Sequence, residues 1–317
     1  MGTDLSKLIQ KGIKMFKFSL KNAFISFLLL ISIVSGTAMA QEQKQKANKA
    51  YPPTIESSKV ETYRKVGDTE LKIWIFEPKE KATKPRPAIV FFFGGGWTSG
   101  TPAQFVPQCQ HLAERGMVAM VADYRVSSRN MAKPIDCVAD AKACVRYIRT
   151  NAVRLGIDPD RIAAGGGSAG GHLAAATATL PGLEAAGEDF KVSSVPNALV
   201  LFNPALVLAP IPGLMLEGFL AKLTKERFGC DPEAFSPAHH VKKGVPPTII
   251  FHGKADSTVP YSSAAEFSER MNKAGNRCQL IGFEGEGHGF FNNKKMKETL
   301  DQTDAFFVSL GYLPARK

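Results

Sequence analysis

The sequence predicts an α/β fold with a mostly parallel, twisted sheet that carries helices on both faces. Three observations lead to this. Apolar strand-like runs alternate with helix-like segments along most of the chain. The run Ala88–Phe93 is continuously apolar, as in a strand buried on both faces. The 317 residues, 44% of them hydrophobic, are enough for one large domain.

The elements follow from the patterning. Residues 59–66 and 70–77 alternate apolar and polar side chains, which predicts two strands at an antiparallel edge of the sheet. Strands are then predicted at 88–93, 117–122, 161–165, 198–202, 247–252 and 278–283, with helices at 103–115, 137–155, from 170, at 261–274 and at 295–310.

The segment 205–243 interrupts this alternation. It lies between two predicted strands and is rich in Leu, Pro, Met and Phe. We expect a small cap insertion over the strand ends. The alternative is an ordinary crossover helix with long loops.

The N-terminus has the pattern of a secretory signal. Three lysines, at positions 14, 17 and 21, precede the apolar run Ala23–Val34, and small residues up to Ala40 supply a cleavage site. The sequence therefore predicts a signal peptide over 1–40, cleaved after Ala40, a flexible segment over 41–58 and the α/β domain over 59–317. The protein is then secreted or periplasmic. The alternative is a retained membrane anchor, which a run this short disfavours.

Composition limits the partners and cofactors. The net charge is +11, and +7 without residues 1–40. No basic helix interleaved with aromatic residues indicates a nucleic-acid partner. Five cysteines occur without a metal-ligand pattern, so neither a metal nor any other cofactor is predicted. We expect no stable membrane anchor, and the oligomeric state is left open.

The main chemical signal is the G-x-S-x-G pattern at 166–170, centred on Ser168. A predicted strand leads into it and a predicted helix follows, which is the context of a nucleophile elbow. Glycine is needed two residues before and two after the serine, because strand and helix approach closely there. Ser168 is therefore predicted to be a catalytic nucleophile.

A serine nucleophile needs a base and an acid that orients the base. His288 lies in a glycine-flanked loop after the last apolar strand, and Asp256 follows the strand before it. The order Ser, Asp, His is the one this kind of fold uses. Glu284 and Glu286 are less suitable acids because they are too close to His288 in sequence.

The tetrahedral intermediate of acyl transfer needs an oxyanion hole. Three glycines at 94–96 follow the buried strand directly and can present backbone amides without side-chain obstruction. We expect the donors to be the amides of Gly94, Gly95 and Ala169. A phosphate-binding loop is disfavoured because no G-x-G-x-x-G or G-K-[ST] pattern follows.

These motifs together resemble the hormone-sensitive-lipase-like and bacterial acetyl-xylan-esterase-like α/β-hydrolases. The resemblance covers about residues 70–310 and rests on the late Asp and His together with Gly94–Trp97, Asp123–Arg125, Gly156–Pro159 and Gly167–Gly171. It implies an α/β-hydrolase fold and cofactor-free ester hydrolysis by Ser168, Asp256 and His288. The family usually has a histidine before the three glycines, where this chain has Phe93. That histidine helps to hold the loop, so the difference concerns the loop and not the reaction class.

The predicted function is hydrolysis of short-chain esters, with acetylated plant or algal carbohydrate as the substrate that the resemblance suggests. Two alternatives stay open: an aminopeptidase-like serine hydrolase, and a non-catalytic binding protein of the same fold. The expected walls of the substrate pocket are apolar side chains from the glycine loop and from the cap: Phe93, Trp97, Leu214, Met215 and Phe219.

Overall fold

The computed structural model describes residues 51–80 and 83–316. The chain divides into two units, Met1–Pro53 and Thr54–Lys317, and the α/β fold lies in the second. The predicted signal peptide and residues 41–50 lie outside the described residues. No helix within the described ranges is long and apolar enough to cross a bilayer.

Eight strands form one sheet in the order β1-β2-β4-β3-β5-β6-β7-β8. The first two strands form the antiparallel edge, and β2 also runs antiparallel to β4. All the other neighbours are parallel, which confirms the predicted sheet. Their bounds are β1 Lys59–Val66, β2 Thr69–Phe76, β3 Arg86–Phe92, β4 Val118–Ala122, β5 Ile157–Gly167, β6 Ala198–Phe202, β7 Thr248–Gly253 and β8 Cys278–Phe283.

Helices cover both faces of the sheet, and strands β3, β4, β6 and β7 are therefore buried along almost their whole length. Apolar side chains of α3, α4 and α7 pack on one face, and those of α1 and α8 pack on the other. The helices are α1 Val106–Glu114, α2 Ser127–Asn130, α3 Pro134–Thr150, α4 Ala169–Thr179, α5 Glu217–Leu220, α6 Lys225–Phe228, α7 Tyr261–Lys273 and α8 Met296–Ser309.

Several element boundaries differ from the prediction, and those of α3 and β5 differ most. The helix expected at 137–155 is α3, which begins at Pro134, because proline fits the first turn, where no amide partner is needed. The strand expected at 161–165 is β5, which extends from Ile157 to Gly167 because Ile157 already pairs with Arg86 of β3.

Residues 205–243 contain no strand. Two short helices, α5 and α6, and a 3-10 turn at Pro237–His240 occupy this segment. Phe228 and Phe235 belong to this segment, are fully buried, and pack on each other with 4.7 Å between ring centroids. We call this segment the cap.

The parallel register brings the functional loops to one edge of the sheet. Phe92 at the end of β3 pairs with Gly166, and Gly166 pairs with Leu201 of β6. The loops that follow β3, β5, β6, β7 and β8 therefore all begin at the carboxyl edge, where ligands bind in open α/β sheets.

Candidate active site

Ser168 occupies a strained turn between β5 and α4. Its backbone has φ 54° and ψ −119°, a conformation that non-glycine residues rarely adopt. Its backbone amide donates to the carbonyl of Phe202 at 2.9 Å, and its carbonyl accepts from the backbone amide of His172 at 2.9 Å. The strained residue is thus held by hydrogen bonds on both sides, as a nucleophile elbow requires.

The two glycines of the pattern are required by close approach. A β-carbon at Gly170 would lie 2.0 Å from the carbonyl oxygen of Phe92, and one at Gly166 would lie 2.5 Å from the same oxygen. Any side chain at either position would therefore push β3 away from the turn. This is the physical reason for the spacing that the sequence shows.

His288 and Asp256 lie in direct contact. His288 Nδ1 is 2.7 Å from Asp256 Oδ2, so the ring nitrogen donates to the carboxylate. Gly253, at the end of β7, allows this approach, because a β-carbon there would lie 2.2 Å from the carbonyl oxygen of Glu286. The structure therefore brings the predicted base and the predicted acid together.

Asp256 is buried, and several donors hold its carboxylate. The amides of Thr258 and Val259 donate to Oδ1 at 2.8 and 2.9 Å, and His252 Nε2 lies 3.3 Å from Oδ2. Burial raises the pKa of Asp256, but the hydrogen bonds from His252, His288 and Val259 outweigh it, so the pKa lies well below its ordinary value. The carboxylate stays ionised and can stabilise an imidazolium at His288.

Two cavities meet at Ser168. The first, which we call the cap-side cavity, has a volume of about 420 Å³. It lies between the glycine loop at 94–96, the cap and the segment after Asp256. The second, which we call the histidine-side cavity, has about 530 Å³ and is lined by Ser168, His288, Asn203 and the glycine loop. Ser168 and His288 thus face a common space, in which an ester can lie between them.

The structure contradicts the prediction for Gly94 as an oxyanion donor. Its amide donates to Gln104 Oε1 at 2.6 Å, so it is not available to substrate. The next two amides, of Gly95 and Gly96, meet no acceptor in the described part of the chain. Ala169 is the first residue of α4, and its amide has no partner within the helix. The available donors at the site are therefore Gly95, Gly96 and Ala169.

Phe93, at the place where the resembled family has histidine, does not line either cavity at Ser168. Its side chain is 1% exposed and stacks on Tyr124 at 4.1 Å between ring centroids. Tyr124 also donates its hydroxyl to the carbonyl of Phe93 at 2.7 Å. Phe93 was predicted to wall the pocket, but its side chain turns into the core and anchors the loop from below.

The other predicted pocket residues divide into two groups. Trp97 and Phe219 line the cap-side cavity. Trp97 is fixed there by edge contacts with the rings of His172 and Phe228. Leu214 and Met215 line neither cavity: Leu214 packs against the core, and Met215 is 78% exposed. They directly precede α5, whereas most of the cap residues that line the cap-side cavity are on α5 and after it.

Asn203 is a site residue that the sequence analysis missed. It follows β6 with a positive φ of 35° and is buried. Its Nδ2 lies 3.4 Å from His288 Nε2, and its Oδ1 accepts from the amide of Gly289 at 3.2 Å. The signal was present in the sequence as a polar residue at the carboxyl end of a predicted strand, next to the strand that carries Ser168.

Among the remaining histidines, His172 and His252 are buried and structural. His172 Nε2 lies 2.9 Å from the carbonyl oxygen of Phe235, which ties α4 to the cap. Burial lowers the pKa of His172 to about 4, so it is neutral in the folded protein. His252 Nε2 lies 2.9 Å from the carbonyl oxygen of Val259 and supports the loop that carries Asp256.

Comparison with known proteins gives two family matches. Residues 73–200 match the BD-FAE family, and residues 221–311 match the prolyl oligopeptidase family. Among curated proteins, esterase LipC of Mycobacterium tuberculosis is 32% identical over 233 residues, which cover 69% of this chain and 56% of LipC. The chain spans about half the length of the curated relatives it matches.

Solved structures match over a larger share. The native form of esterase 2 from Thermogutta terrifontis is 50% identical with a TM-score of 0.80, and the match covers 85% of this chain and 98% of that one. The propionate-bound form is 51% identical with a TM-score of 0.79, covering 84% and 100%. The form phosphorylated by paraoxon is 49% identical with a TM-score of 0.78, covering 84% and 99%.

Proposed function

Since the chain belongs to the α/β-hydrolase esterases, we propose that it is a carboxylic ester hydrolase that acts on short-chain esters with Ser168, Asp256 and His288 as its triad. The observation that carries the assignment is the contact of 2.7 Å between His288 and Asp256, in a loop that shares a cavity with the strained Ser168. Nucleophile, base and orienting acid are each supplied by the loop at the end of a different strand.

The mechanism follows from these positions. His288 takes the proton of Ser168 as the hydroxyl oxygen attacks the ester carbonyl carbon. His288 then protonates the leaving alcohol and later activates the water that releases the acid. Asp256 holds His288 in the tautomer with the proton on Nδ1 and stabilises the imidazolium. The strong hydrogen bonding of Asp256 keeps that carboxylate ionised throughout.

We propose that the oxyanion is bound by the amides of Gly95, Gly96 and Ala169. Gly94 has a different role, because its amide is held by Gln104 and fixes the start of the loop. The amide of Ala169 lies at the N-terminus of α4, where the helix dipole also favours negative charge. Three fixed donors stabilise the tetrahedral intermediate without reorganisation of solvent.

The acyl group is short. Trp97 and Phe219 place bulky rings in the wall of the cap-side cavity, which limits its length. The solved propionate-bound and butyrate-bound forms of Thermogutta terrifontis esterase 2 fit this proposal. Acetylated plant or algal carbohydrate is the natural substrate that the family resemblance suggests.

We further propose that residues 1–40 are a signal peptide and that the protein is exported to the periplasm or secreted. The basic leader, the apolar run and the small residues up to Ala40 support this. N-terminal sequencing of exported material should find Gln41 as the first residue. An intact apolar segment in membrane pellets would contradict it.

The match of residues 221–311 to the prolyl oligopeptidase family favours a peptidase as the second candidate. Alanine and Gly-Pro p-nitroanilides distinguish the two. We expect hydrolysis of p-nitrophenyl acetate and no turnover of the anilides. Faster turnover of an anilide than of the ester would favour the peptidase.

Ser168→Ala tests the proposed nucleophile. The variant should fold and lose several powers of ten in kcat on p-nitrophenyl acetate, as removal of a triad member does. Turnover close to that of the wild-type protein in a clean preparation would overturn the assignment.

A further inference from the structure

The two cavities at Ser168 have different roles in the proposed mechanism. The leaving alcohol must lie beside His288, because that residue protonates it. His288 lines the histidine-side cavity, so the alcohol lies there. The acyl group extends from the same carbonyl carbon in another direction, and the cap-side cavity is the space that remains for it.

The cap-side cavity has an apolar body and a cationic wall. Phe219, Leu223 and Val259 supply apolar surface, whereas Lys222 and Arg227 each contribute a full positive charge. None of the described residues that line it is acidic. A ligand group that fits this wall carries negative charge.

The guanidinium of Arg227 is held in place at the catalytic end of this cavity. Its Nη1 donates to the carbonyl of Lys222 at 3.0 Å, and its Nη2 lies 3.4 Å from the carbonyl oxygen of Gly96. The group also lies over the ring of Trp97, 5.7 Å from the centroid. Two carbonyls and an aromatic face fix its position but do not neutralise its charge.

Both cations are without an acidic partner in the part of the chain that the structure describes. Lys225 on the same cap shows the contrast, because it forms an ion pair with Asp231 at 3.0 Å. Cations that lack an acidic partner are suited to an anionic ligand group.

We infer that the enzyme prefers acyl groups that end in a carboxylate, so that its substrates are half-esters of short dicarboxylic acids. The carboxylate lies against Arg227 and Lys222, and the methylene groups lie along the apolar body of the cavity. The inference rests on the proposed function and adds the substrate class to it. It agrees with a short acyl chain, because the charged end meets the cationic wall after a few carbons.

The reaction balances without any co-reactant other than water. Ser168 takes the acyl group of monoethyl glutarate, and ethanol leaves with the proton that His288 received from the serine. Water then cleaves the acyl-enzyme ester to give the glutarate dianion, Ser168–OH and one released proton. That proton is the quantity that a pH-stat records.

The test compares kcat/KM on three ethanol or acetyl esters: monoethyl glutarate, its neutral analogue ethyl valerate, and 4-acetoxybutanoate, which carries its charge on the alcohol. The variants are Arg227→Met and Lys222→Met, which keep much of the aliphatic stem. Lys225→Met is the matched control, because it removes a cation from the cap outside the cavity.

We expect each cavity variant to lower the ratio of kcat/KM on monoethyl glutarate to kcat/KM on ethyl valerate about fivefold, as for the loss of one exposed ion pair. Lys225→Met should leave both within about twofold of the wild-type values. Equal losses on the charged and neutral acyl esters, or a preference for 4-acetoxybutanoate over monoethyl glutarate, would overturn the inference. The proposed function would survive either result, because neither bears on whether ester hydrolysis requires Ser168, which Ser168→Ala tests separately.

Discussion

The side-chain oxygen of Gln104 lies 2.6 Å from the amide nitrogen of Gly94, the first glycine of the oxyanion loop. Gln104 also donates from Nε2 to Asn292 at 3.4 Å, in the loop that follows His288. One side chain therefore connects the glycine loop, which we propose binds the oxyanion, to the loop that carries His288, the proposed base. In the resembled family a histidine before the glycines helps to hold the loop, and here Gln104 and Tyr124 hold it.

Gln104→Ala should lower kcat on p-nitrophenyl acetate about tenfold, with a smaller change in KM. The loss of the acceptor leaves the Gly94 amide without a partner, which costs about 1–3 kcal/mol and lets the following amides turn away from the oxyanion. Gln108→Met is the control, because Gln108 is on the following helix, is more deeply buried than Gln104, and its side-chain amide meets no partner among the described residues. Steady-state kinetics with a melting curve for each variant checks this, and unchanged kcat in Gln104→Ala would contradict it.

Asp256→Asn and His288→Ala should each lower kcat on p-nitrophenyl acetate by several powers of ten, whereas Glu286→Gln should be mild. Asp256 contacts His288, while Glu286 faces the site with its backbone, whose carbonyl accepts from Ala255 at 3.0 Å. Kinetics of the three variants tests the assignment of the acid. A large loss of kcat in Glu286→Gln, together with a nearly unchanged kcat in Asp256→Asn, would show that Asp256 is not the orienting acid.

Asn203→Asp should move the acidic limb of the kcat/KM profile to higher pH by about one unit. The substitution places a carboxylate where Asn203 Nδ2 now lies, 3.4 Å from His288 Nε2. A negative charge so close favours the protonated imidazole, which cannot act as a base, so activity is lost near neutral pH. Asn203→Ala adds no charge and should lower kcat without moving the limb. An acidic limb at the same pH in the wild-type protein, Asn203→Asp and Asn203→Ala would contradict the contact of residue 203 with His288.

His172 should make the fold sensitive to mild acid. Its pKa is about 4 in the folded protein and 6.5 as the ordinary value, so the unfolded chain binds the proton more readily between these pH values. The free energy of unfolding is therefore highest above pH 6.5 and falls as the pH drops towards 4. The loss is roughly 2 kcal/mol at pH 5. His172→Gln, which keeps a donor for the carbonyl of Phe235, should lose less stability on acidification. Urea unfolding at pH 7.5 and pH 5 measures the difference, and equal losses in both proteins would refute it.

Acyl length should be limited by the rings of Trp97 and Phe219. Each methylene buried adds about 0.8 kcal/mol until the cavity is full, and longer chains then clash. We expect p-nitrophenyl acetate and propionate to exceed the octanoate in kcat/KM. The alternative is that the cap opens over a longer groove. Rates on esters from C2 to C12 distinguish the two, and a maximum at C8 or beyond would support the alternative.

The sheet and the contact between Asp256 and His288 could be anticipated from sequence because they depend on chain order. Once the strands are parallel, the loops that follow β7 and β8 must begin side by side at the carboxyl edge. The glycine pattern around Ser168 is similarly local, because it reports the close approach of Gly170 to Phe92.

The amides that are free to bind an oxyanion could not be predicted from the local sequence pattern. Which glycine is free depends on Gln104, ten residues further along the chain, whose side chain takes the amide of Gly94. The direction of Phe93 likewise depends on Tyr124, which gives the ring a buried stacking partner. The first is a contact of a side chain with a backbone amide and the second is a contact of two side chains, and local patterning encodes neither.

The central claim is that Ser168 is the nucleophile of a serine esterase, and covalent trapping with paraoxon tests it most directly. Intact-protein mass spectrometry should show the addition of one diethylphosphoryl group in step with the loss of activity on p-nitrophenyl acetate. Peptide mapping should place that group on Ser168, and Ser168→Ala should take up none. Stoichiometric labelling at another residue, or full inactivation with Ser168 unmodified, would contradict the account.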